Sequence, residues 1–322
     1  MRAIRIHETG GPEVLKFEEV ELPKPGRGEV RLRQHAVGVN FVDVYHRTGF
    51  YPMALPFTPG SEGAGEVVEV GPGVRDFKPG DRVAYAASPG AYAEERNVET
   101  RVLVKLPRAI SYETGAAMML KGLTAQYLLR QTYRVKEGDW ILVHAAAGGV
   151  GQILCQWGRA LGAKVIGTVG SAEKAKIARK AGAQHTILYR EEDFAKRVEE
   201  ITKGQKCAVV YDSVGKATFP ASLDCLKAFG MFVSFGSSSG GIEAFDLGLL
   251  GRKGSLFATR PSLFAYAADR ARLEKMAREL MRAVGSGDVT ISIGRRLPLA
   301  QAAEAHRALE ARETTGSLVL LP

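Results

Sequence analysis

The sequence predicts an α/β protein in which a doubly wound parallel sheet is set into a β-rich domain. Two patterns carry this. From Trp140 onward, short apolar runs alternate with amphipathic runs that begin near Gly or Ser and stop at Gly, the βαβ rhythm of a parallel sheet with helices on both faces. The first hundred or so residues instead show short alternating runs broken by Pro–Gly turns, as in a small barrel or sandwich. At 322 residues, 45% hydrophobic and 25% charged, the chain has room for one large or two medium domains with a sizeable core.

The elements follow in order. VRLRQHAVGVN, GAGEVVEVG and DRVAYAA read as strands between the turn signals LPKPGRGE, VGPGVRDFKPGD and ASPG. ISYETGAAMMLKGLTAQYLLRQTY is a helical run with Ser111 and Thr114 as candidate caps. ILVHAAA is a buried strand, GQILCQWGRALG a helix stopped at Gly162, AKVIGTVG a strand and SAEKAKIARKAG a helix. HTILYR is a strand, EEDFAKRVEEITKG a helix, CAVVYDSVG a strand, FPASLDCLKAFG a helix and MFVSFGSSSGG a strand. A long helix is expected from Pro261 to about Ala283, then the strand ISIGRRLPL, the helix LAQAAEAHRALEARE and the strand GSLVLLP.

Composition narrows the function classes. No apolar run approaches the roughly 18–20 residues that span a bilayer, and MRAIRIHETGG lacks the apolar core of a signal peptide, so a cytoplasmic location is expected. Cys155, Cys207 and Cys225 are too few and too scattered for a disulfide framework or zinc cluster, and read as buried reduced thiols. The formal net charge of +9 favours anionic partners. Basic and acidic residues alternate in runs such as DRARLEKMARELMRA, so a phosphorylated small molecule fits better than nucleic acid.

The chemistry begins at ILVHAAAGGVGQ, a glycine turn directly after a buried strand and directly before a helix. In register with G-x-G-x-x-G stand Ala146, Gly148 and Gly151, so alanine replaces the first glycine. Gly148 would let the backbone approach a pyrophosphate, and Gly151 would let helix and strand pack closely. The helix N-terminus adds unpaired N–H groups and a positive dipole end. About twenty residues on, NAD-preferring folds place an acid for the ribose 2′-hydroxyl. Here Gly170, Ser171 and Lys174 occupy that region. A hydroxyl and an ammonium welcome a 2′-phosphate that an acid would repel, so NADP(H) is the expected cofactor.

With these residues in view, the chain resembles over nearly its whole length the zinc-free quinone oxidoreductases related to zeta-crystallin, in the medium-chain dehydrogenase/reductase superfamily. The resemblance rests on GGPEVL (10–15), VGVNFVDVYHRTGFYP (37–52), PGSEGAGEVVEVG (59–71), KGLTAQYLLRQTY (121–133), HAAAGGVGQ (144–152), YDSVG (211–215), KGSLFATRPSL (253–263) and TTGSLVLLP. It is greatest to the bacterial NADPH:quinone oxidoreductase branch. It implies a Rossmann sheet inserted into a GroES-like barrel, with a GroES-like catalytic domain at 1–115, an NADP-binding domain at 116–260 and a C-terminal segment at 261–322 completing the first. It also implies a cofactor in the interdomain cleft and a homodimer formed through the nucleotide domains.

The resemblance implies roles for individual residues as well. Tyr189 and Arg312 would join Lys174 around the 2′-phosphate. Asn40, Tyr45 and Tyr51 would border the acceptor pocket, with Thr124 near the nicotinamide. Gly236, Ser238, Ala258, Thr259 and Arg260 would contact nicotinamide or pyrophosphate. Phe41, Gly149, Val150 and Ser213 complete the expected cofactor set, in which Asn40 and Tyr45 also count. No obligatory general acid is assigned; His144 lies in a strand and reads as structural, and His46 is unassigned.

Zinc alcohol dehydrogenases carry G-H-E-x-x-G where this chain has Gly60-Ser61-Glu62-Gly63-Ala64-Gly65, and their catalytic cysteine corresponds to Asn40. The four-cysteine lobe is absent, so no metal is expected. A conjugated acceptor is already electrophilic and needs chiefly positioning beside the reduced nicotinamide. The expected activity is direct hydride transfer from NADPH to a quinone without metal or flavin. Two other readings are an NADPH-dependent C=C reductase of enones, alkenals or enoyl thioesters, and a non-catalytic NADPH- or RNA-binding protein.

Overall fold

A computed structural model describes residues 1–322. The chain forms two compact units, one of Met1–Leu123, Ala267–Arg278 and Ile291–Pro322, the other of Thr124–Tyr266 and Glu279–Thr290. Along the first stretch run β1 (Arg2–Arg5), β2 (Lys16–Glu19), β3 (Glu29–Val39), α1 (Phe41–Arg47), β4 (Glu62–Val70), β5 (Arg82–Ala86), β6 (Glu95–Glu99), β7 (Leu103–Lys105) and α2 (Tyr112–Tyr127). The Ser111 hydroxyl caps α2 by accepting the Thr114 N–H at 3.1 Å. Helix α1 was not expected from the sequence; its seven residues are too short for a periodic signal to stand out.

The next stretch alternates β8 (Trp140–Val143), α3 (Gly149–Ala160), β9 (Lys164–Val169), α4 (Ala172–Lys180), β10 (His185–Leu188), α5 (Phe194–Thr202), β11 (Cys207–Asp212), β12 (Leu226–Ser234), α6 (Gly248–Arg252), β13 (Phe257–Thr259) and α7 (Leu263–Tyr266). Then come α8 (Arg270–Gly285), β14 (Ile293–Pro298), α9 (Ala302–Glu310) and β15 (Ser317–Leu321).

In the second unit six strands lie in the order β10-β9-β8-β11-β12-β13, every pairing parallel. The order reverses beside β8, so the turns after β8 and β11 open at the topological switch point where α/β sheets bind ligands. Leu142, Ile166, Ile187, Val198, Val210 and Phe232 form its core.

The first unit holds the ribbon β1-β2 and a seven-stranded sheet ordered β14-β15-β3-β4-β5-β7, with β6 also paired to β3. The late strand β15 lies antiparallel to β3 and parallel to β14. Leu32, Val37, Val67, Tyr85, Tyr92 and Leu320 lie in its core, where fully burying each aliphatic side chain stabilises by about 1.5–3 kcal/mol.

Two expected helices differ. FPASLDCLKAFG contains only a 3-10 turn at Ala221–Cys225, and the strand begins at Leu226. Cys225 and Leu226 are pulled into the sheet's core, and burial outweighs helix propensity over so short a run. The strand then ends at Ser234, leaving FGSSSGG beyond it outside the strand. The expected long helix after Pro261 is two, α7 and α8, and the break lies at Asp269, whose carboxylate accepts the Arg272 N–H at 2.8 Å as an N-cap does. No helix is long and apolar enough to cross a membrane. All three cysteines are buried and unpaired, and burial pushes the Cys155 thiol up to about 12.

Candidate functional site

The glycine turn runs from the end of β8 into α3. A methyl group on Gly151 would collide with the Ala145 carbonyl oxygen and lie 2.8 Å from Ala146 Cα, so α3 packs on the turn only because no side chain stands there. Gly148 is the N-cap with ψ 173°, and a methyl there would meet only Ala145 O at 3.2 Å. The left-handed residue of the turn is Ala145, at φ 52°. Ala146 therefore takes the fingerprint's first position without needing glycine's backbone freedom, and the relief appears across the sheet, where a methyl on Gly167 would lie 2.6 Å from Ala146 Cβ. Gly149 and Val150 open α3, where N–H groups have no intrahelical partner.

Beyond β9, Ser171 caps α4 and its hydroxyl accepts the Lys174 N–H at 3.3 Å. Tyr189 follows β10, its N–H donating to Val169 O at 3.2 Å, and its hydroxyl lies 3.2 Å from where a methyl on Gly170 would stand. Gly170, Ser171, Lys174 and Tyr189 thus share one corner at the ends of adjacent strands. Arg312 lies in the other unit, just after α9, with φ 57°.

A third group gathers at the ends of β11, β12 and β13. Arg260 donates from Nη1 to Ser234 Oγ at 3.0 Å and Gly236 O at 3.4 Å, and from Nη2 to Ser237 Oγ at 3.1 Å. Gly236 is pressed against Ser213, whose carbonyl accepts the Ser238 N–H at 3.2 Å. Ala258 and Thr259 are exposed on β13. Asp212, unassigned from sequence, anchors this loop: its fully buried carboxylate accepts Val214 N–H at 2.8 Å, Gly215 N–H at 3.0 Å and Thr218 Oγ1–H at 2.7 Å. His144, expected to be structural, is buried between Thr168 Oγ1 at 2.8 Å and Ser222 Oγ at 3.0 Å, and desolvation holds its pKa below the usual histidine value. Thr124 is buried one turn ahead of Tyr127 on α2, and the Tyr127 ring stacks on Tyr266 at 4.5 Å and 6°.

In the first unit, Asn40 is the residue before α1, and Phe41 begins that helix. The Tyr45 ring stands 5.2 Å from Tyr51 at 71° and 5.2 Å from Phe50, with Phe41 6.2 Å away, so the two tyrosines expected at the pocket share one aromatic cluster. The exposed Phe50, not singled out from sequence, belongs to it. Asn40 Nδ2 donates to Glu62 Oε1 at 2.8 Å, and the Lys121 ammonium occupies the same oxygen. A lone charged residue inside the apolar runs GSEGAG and MMLKGL was the available signal for this pair.

Zinc does not fit here. Ser61 Oγ is committed to Asp43 at 3.2 Å, the Glu62 carboxylate already carries the Lys121 ammonium, and no group of three or more His, Cys, Asp or Glu side chains is placed to hold a metal ion.

Residues 26–135 match the alcohol dehydrogenase GroES-like domain family and residues 149–281 the zinc-binding dehydrogenase family. A quinone oxidoreductase from Pseudomonas aeruginosa is 54% identical over 323 aligned residues, covering 100% of this chain and 99% of that one. This chain belongs to the quinone oxidoreductase family. The family resemblance extends to the coordinates: Escherichia coli quinone oxidoreductase complexed with NADPH superposes with a TM-score of 0.98 at 49% identity, with 100% of each chain covered. A 2-haloacrylate reductase from Burkholderia is 48% identical over 98% of both chains.

Proposed function

We propose that this chain is an NADPH:quinone oxidoreductase. The observation that carries it is the pairing of a dinucleotide turn with a serine–lysine–tyrosine corner, in a chain 54% identical to a quinone oxidoreductase. The residues fit the cofactor: the methyl-free turn at Gly148 and Gly151 admits a pyrophosphate beside the α3 N-terminus. Ser171, Lys174, Tyr189 and Arg312 would hold the 2′-phosphate, the arginine fork suiting it better than a point charge. Ser213, Gly236, Ser238, Ala258 and Thr259 would line the remainder of the cofactor. Arg260 keeps the loop after β12 in place through Ser234, Gly236 and Ser237.

When bound, NADPH supplies the hydride. The chain's own part is orientation and exclusion of water, which can lower a barrier by about 7–11 kcal/mol in favourable systems. Asn40, Phe41 and Thr124 would set the nicotinamide, while Tyr45 and Tyr51 offer a stacking face and hydroxyl donors for a quinone oxygen.

The 2-haloacrylate reductase relative favours one second reading, reduction of a C=C bond conjugated to a carbonyl or carboxylate. Steady-state NADPH oxidation with benzoquinone, phenanthrenequinone, an alkenal and 2-chloroacrylate separates the two. Turnover of the alkenal or chloroacrylate alone would overturn the quinone reading.

We also propose a homodimer working in the cytoplasm. Support for the dimer comes from the second unit's edge strand β13, exposed along its length with Phe257 56% exposed, and from Phe229 on the neighbouring β12, 71% exposed. Sedimentation equilibrium tests the dimer, and cell fractionation the location.

A further inference from the structure

Glu62 is fully buried on β4, and three donors converge on its two oxygens. Lys121 Nζ and Asn40 Nδ2, the latter at 2.8 Å, donate to Oε1, and the Leu120 backbone N–H donates to Oε2 at 2.7 Å. Gly38 makes room, since a methyl there would strike the Glu62 carboxylate and lie 2.6 Å from Ala116 O. The Lys121 side chain is 7% exposed. Burying such a pair gives little net stability over apolar residues of the same size, so its presence calls for another explanation.

That explanation lies in Asn40. An ionised carboxylate accepts hydrogen bonds and cannot donate one. Asn40 must therefore turn its NH2 toward Glu62, which puts Oδ1 on the opposite branch of the amide, where one lone pair faces the Asp43 backbone N–H of the α1 capping box and the other is left for a ligand. The Lys121 ammonium, which can only donate, takes a lone pair of Oε1 and fills the space that a rotated amide would need. We propose that Lys121–Glu62 is a positioning pair that locks the Asn40 carboxamide, so that Oδ1 stands as a fixed acceptor for the NH2 of the nicotinamide carboxamide. The match is chemical: a quinone presents only acceptors, whereas the nicotinamide amide presents a donor. The inference rests on the reading that Asn40 lies against the cofactor.

Glu62→Gln places one carbonyl and one NH2 before three donors, so Asn40 is free to turn its oxygen inward. The probes are NADPH and its reduced 3-acetylpyridine analogue, which carries a methyl in place of the amide nitrogen. Affinity is read by cofactor fluorescence and turnover by quinone reduction. Wild type should bind NADPH more tightly than the analogue, by about three- to tenfold for one hydrogen bond. Glu62→Gln should bind the two alike, with kcat for NADPH about ten- to a hundredfold lower. Should the unpaired ammonium prevent folding, Glu62→Gln with Lys121→Met removes both charges and should lose the same discrimination. A variant that still prefers NADPH as wild type does would overturn the proposal. Asn40→Ala separates the two layers. If it too leaves the preference intact, the placement of Asn40 against the cofactor is wrong; if it abolishes the preference while Glu62→Gln does not, only the positioning role fails.

Discussion

Arg47 and Glu310 meet as a fork, with Nη1 and Nη2 lying 2.9 and 2.7 Å from the two carboxylate oxygens. The arginine side chain is 1% exposed and the glutamate 35%, so α9 closes over a cation carried by α1. Glu310→Ala strips the bidentate partner and leaves the guanidinium with Gly10 O and His306 Nδ1. We expect a loss of about 2–3 kcal/mol, read as a lower urea midpoint with the slope unchanged. A midpoint equal to wild type would show that the fork adds nothing.

The same arginine orders a buried relay. Its Nη1 donates to His306 Nδ1 at 3.2 Å, which leaves Nε2–H to donate to Tyr92 Oη at 3.1 Å, and the Tyr92 hydroxyl donates to Asp43 Oδ2 at 3.1 Å. Burial raises Asp43 to about 7 from 3.8, and Glu62 nearby adds to the rise. In that window folded Asp43 holds its proton while the unfolded chain has released it. Its contribution is therefore complete below pH 3.8 and lost as pH climbs through about 7. His306 runs the other way. Desolvation and Arg47 pull it down to about 3 from 6.5, so its contribution is present above 6.5 and lost as pH falls through about 3. The two slopes oppose each other where they overlap. Asp43→Asn should remove one of them, so its melting temperature relative to wild type should rise between about pH 5 and pH 7.5 and then level, at a limiting slope of about 1.4 kcal/mol per pH unit. A difference flat across that range would mean that Asp43 is ionised throughout.

Two glycines of one turn should behave differently. Gly151→Ala drives a methyl into Ala145 O and Ala146 and should cost about 1–3 kcal/mol of stability. Gly148→Ala meets only Ala145 O at 3.2 Å, so it should melt within a few degrees of wild type while binding NADPH more weakly. Calorimetry and cofactor fluorescence on the two variants check this; equal melting temperatures would contradict the packing argument.

Lys174→Ala should weaken NADPH about ten- to a hundredfold, the worth of a charge-assisted hydrogen bond, and leave NADH nearly unchanged. Parallel losses for both coenzymes would remove Lys174 from the phosphate corner.

Arg260→Ala frees Ser234, Gly236 and Ser237 from their shared donor. NADPH affinity should fall about tenfold, and hydrogen exchange should rise in residues 235–240 without a change in the strands. Unaltered exchange there would argue against a clamp.

The parallel sheet was legible because Gly162, Ser171 and the apolar runs punctuate it, and each signal is local. That Ser171 and Lys174 stand together at the start of α4 was legible for the same reason: they are neighbours along the chain. The buried pairs were not. Glu62 meets Lys121 across 59 positions and Arg47 meets Glu310 across 263, and a charged letter in an apolar run says that a partner exists without saying which. Helix α1 was hidden by brevity. The helix assigned to residues 219–230 was lost because tertiary burial of Cys225 and Leu226 decided a segment whose local preference was weak.

Strand β15 lies between β14 and β3; β6 pairs the Glu29–Arg33 end of β3, so it is the Val37–Val39 end of this earliest long strand that waits for residues 317–321 before its open edge is covered. During synthesis the intervening unit can condense while that edge is still bare and adhesive. A message broken near its 3′ end would release molecules with a finished nucleotide fold and a gaping first sheet, the sort of half-built product that proteolytic quality control removes.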